Sequence, residues 1–546
     1  MHELELVFFL LLAVAALALL ARRVGVPYPL VLVGGGLALG FVPGLPRVEL
    51  APELVFLVFL PPLLYAAGWF TSWRDFVANR RPIALLAVGL VLTTTAGVAA
   101  VAHALIPGLP WAAAFVLGAI VSPTDAVAAS AILQRLGAPR RLATVLEGES
   151  LVNDATGLVA YRFAVAAVAT GAFSPWAAGG QFLLAALGGV ALGLAAGWLN
   201  ERLERRLDDA PIEITLSLLV PYAVYLAAEG LRVSGVLAVV AAGVYGGRHS
   251  PRMFSPTTRL QANAVWETLV FLLNGLVFIL IGLQLRRILA ELGGWSPADL
   301  ARYGAAISLA AIALRFLWVF PAAYLPRFLS RRVRARDPYP GWRNVVVVGW
   351  TGMRGVVSLA AALALPRTVA GGAPFPERDL ILFLTFAVIL VTLVVQGLGL
   401  PALTRALGVV DDGGAATEET EARGRAIEAA LGRLDQLALE DGAPEAAVAY
   451  LRAYYGKRAH LLEARSGRLD HDHAAGDGRD PGHRHEDGRD HAAAHRAALE
   501  RFERLQRELL GAERARVIAL RDRGVIGDEA LHRIERDLDL EEARLG

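Results

Sequence analysis

Glu147-Gly148-Glu149-Ser150-Leu151-Val152-Asn153-Asp154 stands inside a long apolar run, and one run earlier the chain reads Val121-Ser122-Pro123-Thr124-Asp125-Ala126. Acidic side chains placed so deep are costly in lipid and mark ion or proton pathways. Pro123 has no amide hydrogen and disfavours a helical Ser122, so a helix there is predicted to unwind. Unwinding frees backbone carbonyls beside two hydroxyls and the Asp125 carboxylate. Hard monovalent cations take oxygen donors of this sort, and interrupted helices are a common way to present them within a membrane. In the second segment Ser150 and Asp154 are four residues apart and share a helical face, with Asn153 beside Ser150. If the two helices are neighbours, Asp125, Asp154 and Ser150 converge on one cavity. Burial without an ion favours a protonated carboxyl and a bound cation favours the ionised form, so one acid suffices for competition between proton and cation. The plainer reading makes these acids salt-bridge partners within a bundle. Two acids with Pro, Ser, Thr and Asn in adjacent runs weigh against it.

Composition places these segments in a bilayer. Of 546 residues, 55% are hydrophobic and 19% charged, with a mean hydropathy of +0.49; soluble domains carry about 25% charge. A bilayer core takes about 20 apolar residues as helix. Thirteen candidate runs lie near 4–21, 28–44, 52–69, 83–106, 111–133, 142–170, 178–198, 212–229, 232–247, 262–284, 301–326, 344–365 and 380–404. The first is expected to be a span and not a signal peptide, because Glu3 and Glu5 precede it, Arg22 and Arg23 follow it, and no small-residue cleavage site comes after. The fold class is therefore an all-α polytopic membrane protein of about thirteen spans, with broken core helices and a C-terminal helical tail.

Arginines cluster after alternate runs: Arg22 and Arg23; Arg74, Arg80 and Arg81; Arg135, Arg140 and Arg141; Arg202, Arg205 and Arg206; Arg248, Arg252 and Arg259; and a group from Arg327 to Arg343. Basic loops stay in the cytoplasm. A multi-pass plasma (inner) membrane protein is expected, with its N-terminus outside and its tail inside. The net charge of +2 offers nothing to nucleic acid, and the absence of cysteine excludes thiol chemistry and disulfides. No nucleophile–base constellation, HExxH or phosphate-binding loop is present, so an enzyme is not expected, and no cofactor is implied.

A third polar segment, Trp350-Thr351-Gly352-Met353-Arg354-Gly355-Val356, falls in the twelfth run. Arg354 lies too deep to reach the surface and needs an anion, for which Glu147, Glu149 and Asp154 are candidates. Glu149 is the expected partner, because that pairing leaves Asp154 free. Gly352 and Gly355 permit close helix approach. Arg315 and Arg162 are read as pairing with acids or lying near interfaces, His103 as a hydrogen-bonded or interfacial residue, and Glu213, Glu229 and Glu267 as span-end residues.

With these residues in view the chain resembles the monovalent cation–proton antiporters of the first cation–proton antiporter family, the bacterial NhaP-type and animal NHE-type exchangers. The likeness runs in order through Phe59-Leu60-Pro61-Pro62-Leu63-Leu64, Ser122 to Asp125, Glu147 to Asp154, Pro221-Tyr222 with Ser234-Gly235-Val236-Leu237, Gly352-Met353-Arg354-Gly355 and Val395-Gln396-Gly397. The string from Glu147 to Asp154 is its specific part. The resemblance implies inverted repeats, a homodimer in the lipid bilayer, and exchange of Na+ (or Li+ or K+) for H+. It implies Asp154 as the acid that carries both, with Asp125, Ser150 and the backbone of Thr124 as further ligands. The Asn153-Asp154 pair resembles that of the electroneutral members, which exchange one cation for one proton. Tyr65-Ala66-Ala67-Gly68 departs from the pattern, since many relatives carry an acid there.

The membrane part is expected over 1–405 and a cytosolic helical tail over 411–546. Helices are read over 418–439, 445–465 and from 492 onward, with Leu451, Tyr455 and Leu462 packing at helical spacing. A His-rich insert near 468–495 reads as disordered. Its His471, His473, His483 and His485 could ligate zinc or nickel, although the spacing defines no four-ligand set. Two alternatives stay open: a potassium–proton antiporter, since the donor set suits either ion, and a non-transporting ion or pH sensor that signals through the tail.

Overall fold

The structure, a computed structural model of the chain, describes residues 2–42, 55–171, 175–207, 209–337, 339–369, 372–411, 413–439, 444–465 and 490–545. Regular structure among them is helical, apart from one isolated bridge between Thr368 and Pro374. The chain forms two compact units, Met1–Met253 with Gln261–Asp411, and Phe254–Leu260 with Asp412–Gly546.

In the first unit, besides the short helices Trp73–Ala78 and Arg331–Arg336, the helices are α1 (His2–Val24), α2 (Tyr28–Gly40), α3 (Val55–Trp69), α4 (Arg80–Leu105), α5 (Trp111–Val121), α6 (Val127–Arg135), α7 (Arg140–Thr170), α8 (Pro175–Glu204), α9 (Ala210–Gly230), α10 (Gly235–Met253), most of α11 (Pro256–Glu291), α12 (Pro297–Leu329), α13 (Trp342–Trp350), α14 (Val356–Leu363) and α15 (Arg378–Leu407). A helix, continuous or interrupted, stands at each expected span. Among the described residues eight helices are long and apolar enough to cross a membrane, and Tyr28–Gly40, Val55–Trp69 and Trp111–Val121 are shorter apolar ones. The predicted interruption at Ser122–Pro123 separates α5 from α6. A second, between α13 and α14, spans Thr351–Gly355, where Gly355 takes extended backbone.

Packing sorts these helices into two groups. One holds α3, α8, α9 and α10, the last lying against each of the other three. Gly243 and Gly247 of α10 permit close approach, because a Cβ at either would run into the Tyr65 or Trp69 carbonyl of α3. The other group wraps α4, α7, α12 and α15 around the two interrupted helices. Val98, Leu117, Ile120, Leu359, Leu384 and Ile389 are among the apolar side chains buried in it. By contrast Leu183, Leu184 and Leu187 of α8 and Leu309 and Leu317 of α12 are exposed. An apolar surface of that kind suits lipid or a second apolar face.

The second unit contains α16 (Gly414–Leu439), α17 (Glu445–Arg465), α18 (Asp490–Asp522) and α19 (Asp528–Glu542), together with Phe254–Leu260. Leu451 and Tyr455 are buried in one of its cores with Leu434 and Leu509, and Leu462 packs against that core. Its other core joins Val517 of α18 to Leu531, Ile534 and Leu538 of α19. Arg259 is buried and donates from Nε and Nη2 to Asp539 at 3.0 and 2.5 Å, and Arg514 reaches the same carboxylate at 2.9 Å. His471, His473, His483 and His485 lie outside the described residues.

Glu535 is buried beside Arg259, Asp539, Arg514 and Arg521, and burial pushes its carboxyl up from 4.5 to about 7. Between those values the folded tail holds a proton that the unfolded chain has released, so stability falls as pH rises through that window and then levels off. Glu535→Gln is expected to remove this fall. Calorimetry of the full-length protein should show the variant's tail melting above wild type at about pH 8 and close to it at about pH 5.

Candidate ion-binding site

The two interruptions cross. Asp125 donates its backbone N–H to Met353 O at 2.8 Å, tying one unwound segment to the other. The Asp125 carboxylate accepts from Val127 N at 2.8 Å, which caps the start of α6. It also lies where a side chain at Gly355 would have to go, so glycine is required there. The carboxylate is thus held at the start of α6 and beside the start of α14, ends whose free N–H groups favour negative charge.

The opposite ends of the half-helices are served by arginine. Arg354 donates from Nε to Val121 O, the end of α5, at 3.0 Å, and from Nη1 to Gly352 O. Arg315 of α12 donates from Nε to Val348 O, near the end of α13, at 3.0 Å. Both arginines are fully buried. Cations at helix C-termini neutralise the carbonyls that an interrupted helix leaves free.

Glu149 is held by Arg315, whose Nη1 and Nη2 donate to its two oxygens at 2.5 and 2.9 Å. The expected ion pair of Glu149 with Arg354 is therefore corrected. Arg315 and Thr124 fill the Glu149 oxygens, and Arg354 is committed to the carbonyls that the two breaks expose. Thr124 Oγ1 donates to Glu149 Oε1 at 2.8 Å, and Asn153 Nδ2 donates to Thr124 O and Oγ1 at 3.0 and 2.9 Å. A continuous chain from Asn153 through Thr124 and Glu149 to Arg315 locks the unwound segment onto α7 and α12.

Of the residues expected at the site, Asp125, Thr124, Ser150, Asn153 and Asp154 are brought together. Ser150 Oγ accepts from Ala126 N at 3.4 Å. Asp154 is buried, and its charge interacts with that of Asp125. Among the described residues no hydrogen bond to the Asp154 carboxylate is found, so it alone of these acids has its oxygens uncommitted. Asn153 Oδ1 is a buried acceptor without a donor. Sequence reasoning left Arg315 without an assigned partner and missed Thr392, whose Oγ1 accepts from Arg354 N at 3.2 Å. A buried arginine in an apolar run was the available signal for the first; a lone threonine gave none for the second.

The acids at the crossing number three (Asp125, Glu149, Asp154) and the buried arginines two (Arg315, Arg354). With all five ionised, one negative charge remains, and a single proton or monovalent cation neutralises it.

Crossed, interrupted helices with an uncommitted acid at the crossing define an ion-coupled secondary transporter. The family described as sodium/hydrogen exchanger, transmembrane, matches residues 9–406, and the chain belongs to that family of multi-pass membrane transporters. It is 38% identical to an uncharacterised Na+/H+ exchanger of Mycobacterium tuberculosis, over 99% of this chain and 97% of the relative. It is 39% identical to a sodium, potassium, lithium and rubidium/H+ antiporter of Bacillus pumilus, over 74% of this chain and 61% of that one. The fold is similar to that of a sodium proton antiporter from Methanocaldococcus jannaschii, with a TM-score of 0.57 and 20% identity, over 74% of this chain and 99% of that one.

Removing one partner of a buried ion pair leaves an uncompensated charge. Arg315→Met is expected to destabilise the membrane unit by about 3–5 kcal/mol. Arg315→Met with Glu149→Gln should recover most of that loss, because Gln keeps an oxygen for Thr124. Thermal unfolding in detergent compares the two variants with wild type.

Proposed function

We propose that this protein exchanges one sodium ion for one proton, with Asp154 carrying each in turn and Asp125, Ser150, Thr124 and Asn153 completing its surroundings. The observation that supports this most is the charge balance at the crossing. Arg315 and Arg354 offset two of the three acids, and the uncommitted third is Asp154. One excess negative charge accommodates one monovalent cation or one proton, but not both, and exchange follows from that exclusion. Because the site carries the same net charge with either occupant, the exchange is electroneutral.

Lithium and potassium are further substrates on this reading, in keeping with the ions named for the Bacillus pumilus relative. A potassium–proton exchanger is the second reading for the same reason. The arginine clusters after alternate spans support an N-terminus outside the plasma membrane and a tail in the cytoplasm. The exposed leucines of α8 support either lipid contact or pairing of two copies as a homodimer.

Proteoliposomes with a trapped pH-sensitive dye test the proposal. Addition of sodium, lithium or potassium should move protons in wild type and give no response above protein-free vesicles in Asp154→Asn. An imposed membrane potential should leave the wild-type rate unchanged. Silence of folded wild type with all three cations, or undiminished exchange by Asp154→Asn, would overturn it.

A further inference from the structure

A second buried acidic cluster lies away from the crossing, among α3, α8, α9, α10 and the part of α11 in the first unit. Near the end of α8, Asn200, Glu201 and Glu204 are buried, and Glu213 and Ser217 are buried at the start of α9. Glu213 stands in the first turn of α9, the span-end position read from the sequence, and is buried there. Glu201 is fully committed: Arg205 reaches Oε1 at 2.5 Å and Tyr245 OH donates to Oε2 at 2.5 Å. Ser217 Oγ is taken by Trp266 Nε1 at 3.1 Å.

Glu204 and Glu213 are not committed in this way. Glu204 is 0% exposed, and neither of its carboxylate oxygens accepts a well-formed hydrogen bond. The Asn200 side chain, one turn earlier on α8, stands close enough to interact with it. Glu213 is 2% exposed, and its Oε2 likewise has no donor. The charges of the two acids interact with each other, and that of Glu204 also reaches Tyr65, which is itself buried. No ion pair to either acid is found among the described residues. Position makes matters worse for Glu204. It is the last residue of a 30-residue helix, where converging carbonyls disfavour an anion and favour a cation. Unpaired acids do not persist in such a place; they are protonated or they hold a cation.

We propose that Glu204 and Glu213, with Asn200 and Tyr65 beside them, form a second binding site for a monovalent cation, separate from the Asp125–Asp154 crossing. All four side chains offer oxygen, as a hard alkali ion requires, and the site stands in the helix group that does not contain the interrupted helices. It is thus an accessory site on the scaffold and not a second stop on the transport path.

Equilibrium binding of radioactive sodium to purified full-length protein at about pH 8, where free carboxyls are ionised, tests this by stoichiometry. Wild type is expected to bind two ions per chain, Asp125→Asn/Asp154→Asn one, Glu204→Gln/Glu213→Gln one, and the fourfold variant none. Asn200→Ala added to Asp125→Asn/Asp154→Asn should weaken the residual binding by about tenfold. That arm, like the count in Asp125→Asn/Asp154→Asn, does not depend on the glutamine variants folding. The proposal is overturned if monodisperse Asp125→Asn/Asp154→Asn binds no sodium, or if Glu204→Gln/Glu213→Gln binds as much as wild type. Loss of all binding in Asp125→Asn/Asp154→Asn while wild type binds one ion would leave the transport site standing and remove only this one.

Discussion

The crossing of two unwound segments governs this membrane unit, and it is held by one backbone hydrogen bond and two arginines. Asp125 N donates to Met353 O, Arg354 reaches the end of α5, and Arg315 reaches the end of α13. Breaking a helix inside a membrane exposes backbone groups that lipid cannot satisfy. Here the exposed ends are answered by charge of the appropriate sign, acid at the start of α6 and arginine at the ends of α5 and α13. Once those assignments are made, the Asp154 carboxylate is left over. The uncommitted acid is thus a consequence of how the breaks are stabilised.

The same arrangement separates strength from availability. Glu149 commits its oxygens to Arg315 and Thr124, and so fixes the geometry without offering itself to an ion. Asp125 is partly engaged through Val127 N. Asp154 shares the helix α7 with Glu149 but lies more than one turn further along it, which lets one helix supply both a rigid anchor and a free ligand. In the other helix group the relation is different: Glu201 is saturated, whereas Glu204 and Glu213 are left open.

Much of this was legible in the sequence because it rests on local chemistry. Pro123 removes a backbone donor and disfavours helix just before it, and the four-residue spacing of Ser150 and Asp154 places both on one face. Leu451 and Tyr455 were legible for the same reason. The break at Thr351–Gly355 was not, since it contains no proline and its glycines serve close packing equally well. The partner of Glu149 was misread because sequence order says which charges are buried but not which way they point. Arg354 looked like the nearest cation by motif, yet the carbonyl of Val121 claims it, and Arg315 arrives from α12. Glu213 was legible as a residue at the end of a span, but its burial was not, because that depends on which helices pack around it.

The central claim is that the crossing leaves one acid, Asp154, for proton and cation to contest. Infrared difference spectroscopy of the protonated carboxyl band, with and without sodium, tests it most directly. The account predicts that sodium removes a protonated carboxyl signal from Glu204→Gln/Glu213→Gln, in which the accessory site is gone, and that this sodium-sensitive signal is absent once Asp154→Asn is added. A sodium-sensitive carboxyl band that persists unchanged when Asp154→Asn is added to that background would assign the exchange to another group and contradict the account.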